Sequence, residues 1–202
     1  MPSTLTWVDH DPAARERSLR ILALFQEKES RDELGLGGIR DSFADQLFPG
    51  TSTIQTHLRY MLFIPWIYSR LEKQRVGPGE FGARAAKMEL NLVEPLLASD
   101  TKGGVFGAVA GKGLKRLPSS VYWAGLGSWG IRLADLSQEE YHRQIGVIYR
   151  RRDIQEEGNR ERARMGDDTE ATPDPGTLTW HQRLPSPPDD FPAKADLNLT
   201  YE

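Results

Sequence analysis

The residues with most chemical potential lie between Lys112 and Arg132. Lys112, Lys115 and Arg116 precede Leu117-Pro118-Ser119-Ser120, and Tyr122, Trp123 and Trp129 follow. Ser119 or Ser120 suits the cap of a short helix. Free N–H groups at a helix start, flanked by cations, can hold a phosphate. Cations interleaved with aromatic rings also bind nucleic acid. The segment therefore nominates Lys112, Lys115, Arg116, Ser119 and Ser120 for nucleic-acid or phosphate binding, with Tyr122 as an aromatic contact. Packing competes for the rings. Val121, Trp123, Leu126 and Trp129 recur at helical spacing, which favours the core for both Trp residues.

Other chemistries find less support. The glycine-rich run from Gly103 to Gly113 invites a phosphate loop, but Phe106 stands where the first glycine of that motif belongs and Gly113 where its Ser or Thr belongs. A flexible connection between helices fits it better. His10, His57, His142 and His181 are too far apart for a two-histidine metal face, and the polar neighbours of His57 suggest a surface position. The chain has no cysteine, so thiolate metal sites and cysteine nucleophiles are excluded. Asp41 and Asp45 read as a solvated helix face. No catalytic residue, metal site or cofactor is assigned.

The elements that would position these residues are helical. Asp11 caps a first helix from Pro12 to about Glu29, buried through Leu19, Ile21, Leu22 and Phe25. A second runs from about Gly38 to Leu47. A third, from Ile54 to about Lys73, is apolar nearly all round near Pro65 and Trp66, which marks it as the central helix. A fourth runs from about Glu80 to Leu97 and a fifth from Val121 to Ser128. Ser137 and Glu140 form a capping box that opens a sixth, Gln138 to about Arg150. The fold class is mainly α: a six-helix globular body with a Pro-rich, charged, extended C-terminal tail.

The composition changes near Arg150. Residues 1–150 hold 19 Lys/Arg and 17 Asp/Glu, a net of +2; residues 151–202 hold 7 and 12, a net of −5. Six prolines then fall between Pro173 and Pro192. This divides the chain into a helical domain, 1–150, and a linker or extended wrap, 151–202, leading towards a further C-terminal region. Leu178, Trp180 and Leu184 are the tail residues suited to docking on the body. The longest apolar stretch, Met61 to Tyr68, is far short of the roughly 20 residues a membrane span needs. The expectation is a cytoplasmic protein with no membrane partner.

Several stretches carry a family resemblance: Gly50-Thr51-Ser52-Thr53-Ile54-Gln55-Thr56-His57-Leu58-Arg59-Tyr60, continuing through Tyr68; Leu117-Pro118-Ser119-Ser120-Val121-Tyr122-Trp123 with Trp129-Gly130-Ile131; Leu5-Thr6-Trp7; and Thr179-Trp180-His181. They resemble a family of uncharacterised bacterial proteins, the domain-of-unknown-function family numbered 6361. The resemblance covers nearly the whole chain and implies a longer protein. It implies no activity, but it does imply a setting beside helicases and phospholipase-D-like nucleases in mobile or anti-phage regions.

The expected function is a non-enzymatic binding subunit contacting nucleic acid or a partner protein, such as other subunits of a defence-type complex. Two alternatives stay open. One is an enzyme acting on nucleic acid or nucleotide through a site assembled only in the fold. The other is a protein–protein scaffold.

Overall fold

The structure is a computed structural model that describes residues 36–166 and 174–198. The expected first helix, 12–29, lies outside the described residues. The chain divides into two compact units, 1–47 and 48–202. The fold is mainly α: six α-helices form among the described residues, with only an isolated antiparallel bridge between Arg132 and Trp180. None of these helices is long and apolar enough to cross a membrane.

In the first unit, α1 (Gly37–Leu47) follows its sequence signal closely. Ile39, Phe43 and Leu47, spaced four apart on one face, are all exposed.

In the second unit, α2 (Tyr60–Lys73) is the central helix, with Pro65 inside it and ten buried residues, Trp66 among them. It starts later than its apolar pattern suggests. The preceding polar side chains are tied to distant backbone instead: Gln55 Nε2 donates to the carbonyls of Gly50 and Val121, and Thr56 Oγ1 to that of Gly104. His57 is half-buried, and its Nε2–H donates to Gly103 O at 2.6 Å, which ties this surface histidine to the glycine run. Side-chain bonds of this kind offer the backbone an alternative to helix.

The glycine run is therefore anchored at its start. Gly104 has φ +75°, and a Cβ there would stand 2.9 Å from Thr56 Cβ and 3.0 Å from His57 Nε2. Gly104→Ala should cost about 2 kcal/mol, from the left-handed backbone and the lost approach. Urea denaturation checks this, and an unchanged midpoint would refute it.

The expected fourth helix is two helices, α3 (Pro78–Asn91) and α4 (Val93–Ala98). Pro95 gives the reason. It has no N–H for the Asn91 carbonyl, and its ring crowds that carbonyl, so the first helix stops there. Next, α5 (Pro118–Ser128) starts with Pro118 in its first turn and Leu117 at the cap.

The capping box forms as expected, Ser137 with Glu140, and opens α6. This helix runs Gln138–Arg164 and passes the composition change at Arg150 without a break. Arg, Glu, Gln and Ala are good helix formers even where nothing apolar is buried. Arg152 and Gln155 also bond to the returning chain, at Thr177 and Thr179. Gly166, at φ +75°, follows the helix end.

Residues 174–198 pack along this body. Trp180 is buried, Leu184 and Phe191 pack on the core, and Leu178 is half-buried. Leu133 N–H donates to Thr179 O and His181 N–H to Ile131 O, which fixes the strand-like passage. The Phe191 ring lies 5.2 Å from that of Trp66 and 5.5 Å from that of Phe63. Trp66 Nε1–H donates to Pro185 O at 2.6 Å. Trp66→Phe removes that bond and part of the indole, so stability should fall by about 1–2 kcal/mol. A thermal melt tests it, and no shift would mean the Pro185 contact holds nothing.

Candidate functional site

The basic corner forms only in part. Lys115 and Arg116 are exposed just ahead of α5. Lys112 lies in a 3-10 turn, Gly111–Gly113, and its side chain is outside the description. The two serines differ. Ser120 is exposed, and its Oγ donates to Leu117 O at 2.8 Å. Ser119 is fully buried.

The Ser119 amide, the first N–H a phosphate would seek, is already taken. It donates to Glu89 Oε2 at 2.8 Å. The carboxylate reaches over from α3, where Phe81, Ala85 and Glu89 form the buried stripe. A carboxyl group of the chain itself thus occupies the acceptor position at this helix start. Tyr122 is also corrected. It is buried, with its hydroxyl accepting from His57 N–H (3.0 Å) and donating to His57 O (2.8 Å), so its ring offers no face to a base. Of the two Trp residues, Trp123 is core, while Trp129 is half exposed and donates Nε1–H to Pro49 O.

Two buried polar clusters form instead. In the first, Gln138 Nε2 donates to Ser119 Oγ at 2.7 Å and to the Tyr68 hydroxyl at 2.8 Å. The same hydroxyl lies 3.0 Å from His142 Nε2. Glu89, Ser119, Gln138, Tyr68 and His142 are therefore joined in one chain of polar contacts. Glu89 Oε1 has no partner among the described residues. Burial pushes the Glu89 carboxyl up to about 7, against the lowering effect of the Ser119 bonds. Burial lowers the imidazolium of His142 and, first among causes, raises the phenol of Tyr68.

The second cluster is centred on Glu72, which is buried. It accepts from the Tyr141 hydroxyl, from Thr179 Oγ1 (2.9 Å), from Trp180 Nε1–H (2.7 Å) and from Arg152 (2.7 Å). Burial, then the Glu72 charge, raises the Tyr141 phenol well above its ordinary value. Every group here holds α2, α6 and the 174–198 segment together.

No group of three or more metal-ligating side chains forms among the described residues. Four surface clefts among the described residues are open to solvent, and their linings include no member of the Glu89 cluster. The one beside Glu72 is lined by its partners Arg152, Thr179 and Trp180.

A buried acid on an apolar helix stripe was a signal in the sequence. Glu89 follows Phe81 and Ala85 at four-residue spacing, and Glu72 adjoins Leu71 on the central helix. Which groups they meet depends on tertiary contacts 30 to 108 residues away.

The fold and these clusters define a helical module whose buried ionisable side chains serve as structural ties, with cations left at the surface. The family of unknown function DUF6361 matches residues 2–146, and the chain belongs to that family. Neither a curated protein nor a solved structure matches it.

Proposed function

We propose that the chain is a non-enzymatic binding subunit whose ligand is nucleic acid. The observation that carries this reading is the division of its ionisable groups. Glu72, Glu89, Tyr68 and Tyr141 are committed to buried contacts, while Lys115 and Arg116 stand exposed at the start of α5. Exposed cations can meet phosphates without disturbing the core. The setting implied by the family resemblance, a defence-type complex, would place such a module beside nucleic-acid enzymes.

The test is filter binding of duplex DNA across a salt series. Replacing Lys112, Lys115 and Arg116 together with Ala should weaken binding regardless of base sequence. It should flatten the salt dependence by up to about three units of slope, one phosphate per cation. The thermal melt should not move, because exposed Lys and Arg contribute little to stability. No binding by the unaltered chain at low salt defeats the nucleic-acid reading.

A second reading, a scaffold for a partner protein, is favoured by α1. Ile39 (54% exposed), Phe43 (60%) and Leu47 (68%) make an apolar stripe on one helix face. It becomes the leading reading if nucleic acid does not bind. The enzyme reading would need Glu89 and His142 to reach a substrate, and both belong to a packed polar chain.

A further inference from the structure

The second half of α6 lies beyond residues 2–146, the stretch the family matches, and one face of it carries no acid. At 100° per residue, Arg151, Gln155, Gly158, Asn159 and Arg162 fall in a sector of about 100°. No acid of this second half lies closer than about 60° to that sector. Asp153 is turned to Arg75, and Glu156 pairs with Arg160 one turn on. Arg152 is withdrawn to Glu72. Neither Arg151 nor Arg162 has an ion-pair partner among the described residues.

This sector forms the wall of a groove of about 400 Å³, flanked on the other side by Asp174. Among the described residues Asp174 is the one acid lining the groove, and its carboxylate accepts the N–H of Gly176. From Glu156 onward the helix is exposed, apart from a half-buried Gly158. A Cβ at Gly158 would meet nothing within 4 Å. Glycine weakens an exposed helix relative to alanine. A reason to have it there is that another molecule's backbone comes close.

We propose that this face of α6 is a binding surface for double-stranded nucleic acid, an inference that rests on the function proposed above. Charge complementarity selects the occupant. Arg151 and Arg162 are eleven residues apart, or about 16 Å along the axis. The major groove is about 12 Å wide, so two guanidinium groups at that spacing can meet the phosphates on its two sides. Gln155 and Asn159 stand between them and present amides, which bond to phosphate oxygens and to base edges alike. Gly158 lets the helix lie close to the duplex. Exposed Ile154 and Met165 border the same face and can touch thymine methyl groups.

The experiment uses the full chain and a fluorescein-labelled duplex of 20 or so base pairs, read by anisotropy across a salt series. Three variants are compared: R151A/R162A, R162A alone, and K115A/R116A. The single variant is included because Arg151 also lies against Gly176. The proposal expects R151A/R162A to flatten the salt slope by about two units and R162A by about one, with an unchanged melt. If the duplex binds and only K115A/R116A weakens it, this surface is overturned while nucleic-acid binding stands. If the unaltered chain does not bind the duplex at all, both fail. A poly-glutamate peptide of matched charge is the remaining arm. Its capture in preference to duplex, with loss in R151A/R162A, overturns the proposal in favour of an acidic protein partner.

Discussion

Glu72→Ala is expected to lower the free energy of unfolding by about 3–5 kcal/mol, the range for breaking a buried ion pair from one side. Glu72 is 6% exposed and accepts from four residues on two other segments. Its loss leaves the Arg152 guanidinium without its carboxylate, 28% exposed and unable to turn fully to water. It also strands the Trp180 N–H and the Tyr141 hydroxyl in the core. Glu72→Gln keeps an acceptor of the same size and should cost less, about 1–2 kcal/mol. Because Thr179 and Trp180 belong to the returning segment, its release should accompany the loss. Trypsin should then cut Glu72→Ala faster at Arg183 and Lys194. Urea denaturation read by circular dichroism gives the energy. A loss below about 1 kcal/mol, with trypsin cleavage unchanged, would show that Glu72 does not hold the segment.

The same residues show how far the sequence was legible. Local signals located α1, the capping box of α6 and the burial of Trp66, because each depends on contacts within a turn or two or on periodicity. The helix α5, expected from Val121 behind a Ser119 or Ser120 cap, starts three residues earlier at Pro118 with Leu117 at the cap. Where α2 begins was not legible. The side chains of Gln55, Thr56 and His57 bond to Gly50, Val121, Gly103 and Gly104, and no local rule foresees those partners. The length of α6 escaped for a different reason. Residues 151–164 bury little, and a composition argument reads them as unable to order. Yet they are good helix formers continuing an established helix, which needs no new nucleus.

The basic corner was visible as a cluster, but not its internal wiring. Ser119 looked like a cap or a phosphate ligand because it precedes an apolar run. Its amide is instead capped by Glu89, thirty positions earlier. A carboxylate from another helix can replace the cap residue that sequence reading looks for. Tyr122 was nominated as an aromatic contact, since it stands beside the cations and outside the Val121, Trp123, Leu126 and Trp129 spacing. Its hydroxyl bonds to the backbone of His57, which decides for the core.

That tertiary cap gives the fold a pH dependence. In the folded chain the Glu89 carboxyl titrates at about 7, raised by burial from an ordinary value of 4.5. The fold therefore favours the protonated carboxyl. A group raised in this way contributes stability that is fully present below about pH 4.5 and is lost as pH rises through 7. At 1.36 kcal/mol per unit, the difference amounts to about 3 kcal/mol. At 2% exposure, little solvent screening reduces it. The Glu140 carboxyl, held below its ordinary value by its hydrogen bonds with Ser137, acts in the opposite direction at low pH, so the unaltered chain alone would mix the two trends. Glu89→Gln separates them. It keeps the shape and an acceptor for the Ser119 N–H, but it cannot ionise. The variant should be close to the unaltered chain in stability near pH 4.5 and should gain on it steadily up to pH 8, by about 3 kcal/mol. Urea unfolding of both proteins at half-unit steps of pH measures the gap. A gap that stays constant within about 1 kcal/mol would mean that Glu89 is ionised throughout, held so by the α5 start, and that its burial costs the fold nothing at neutral pH.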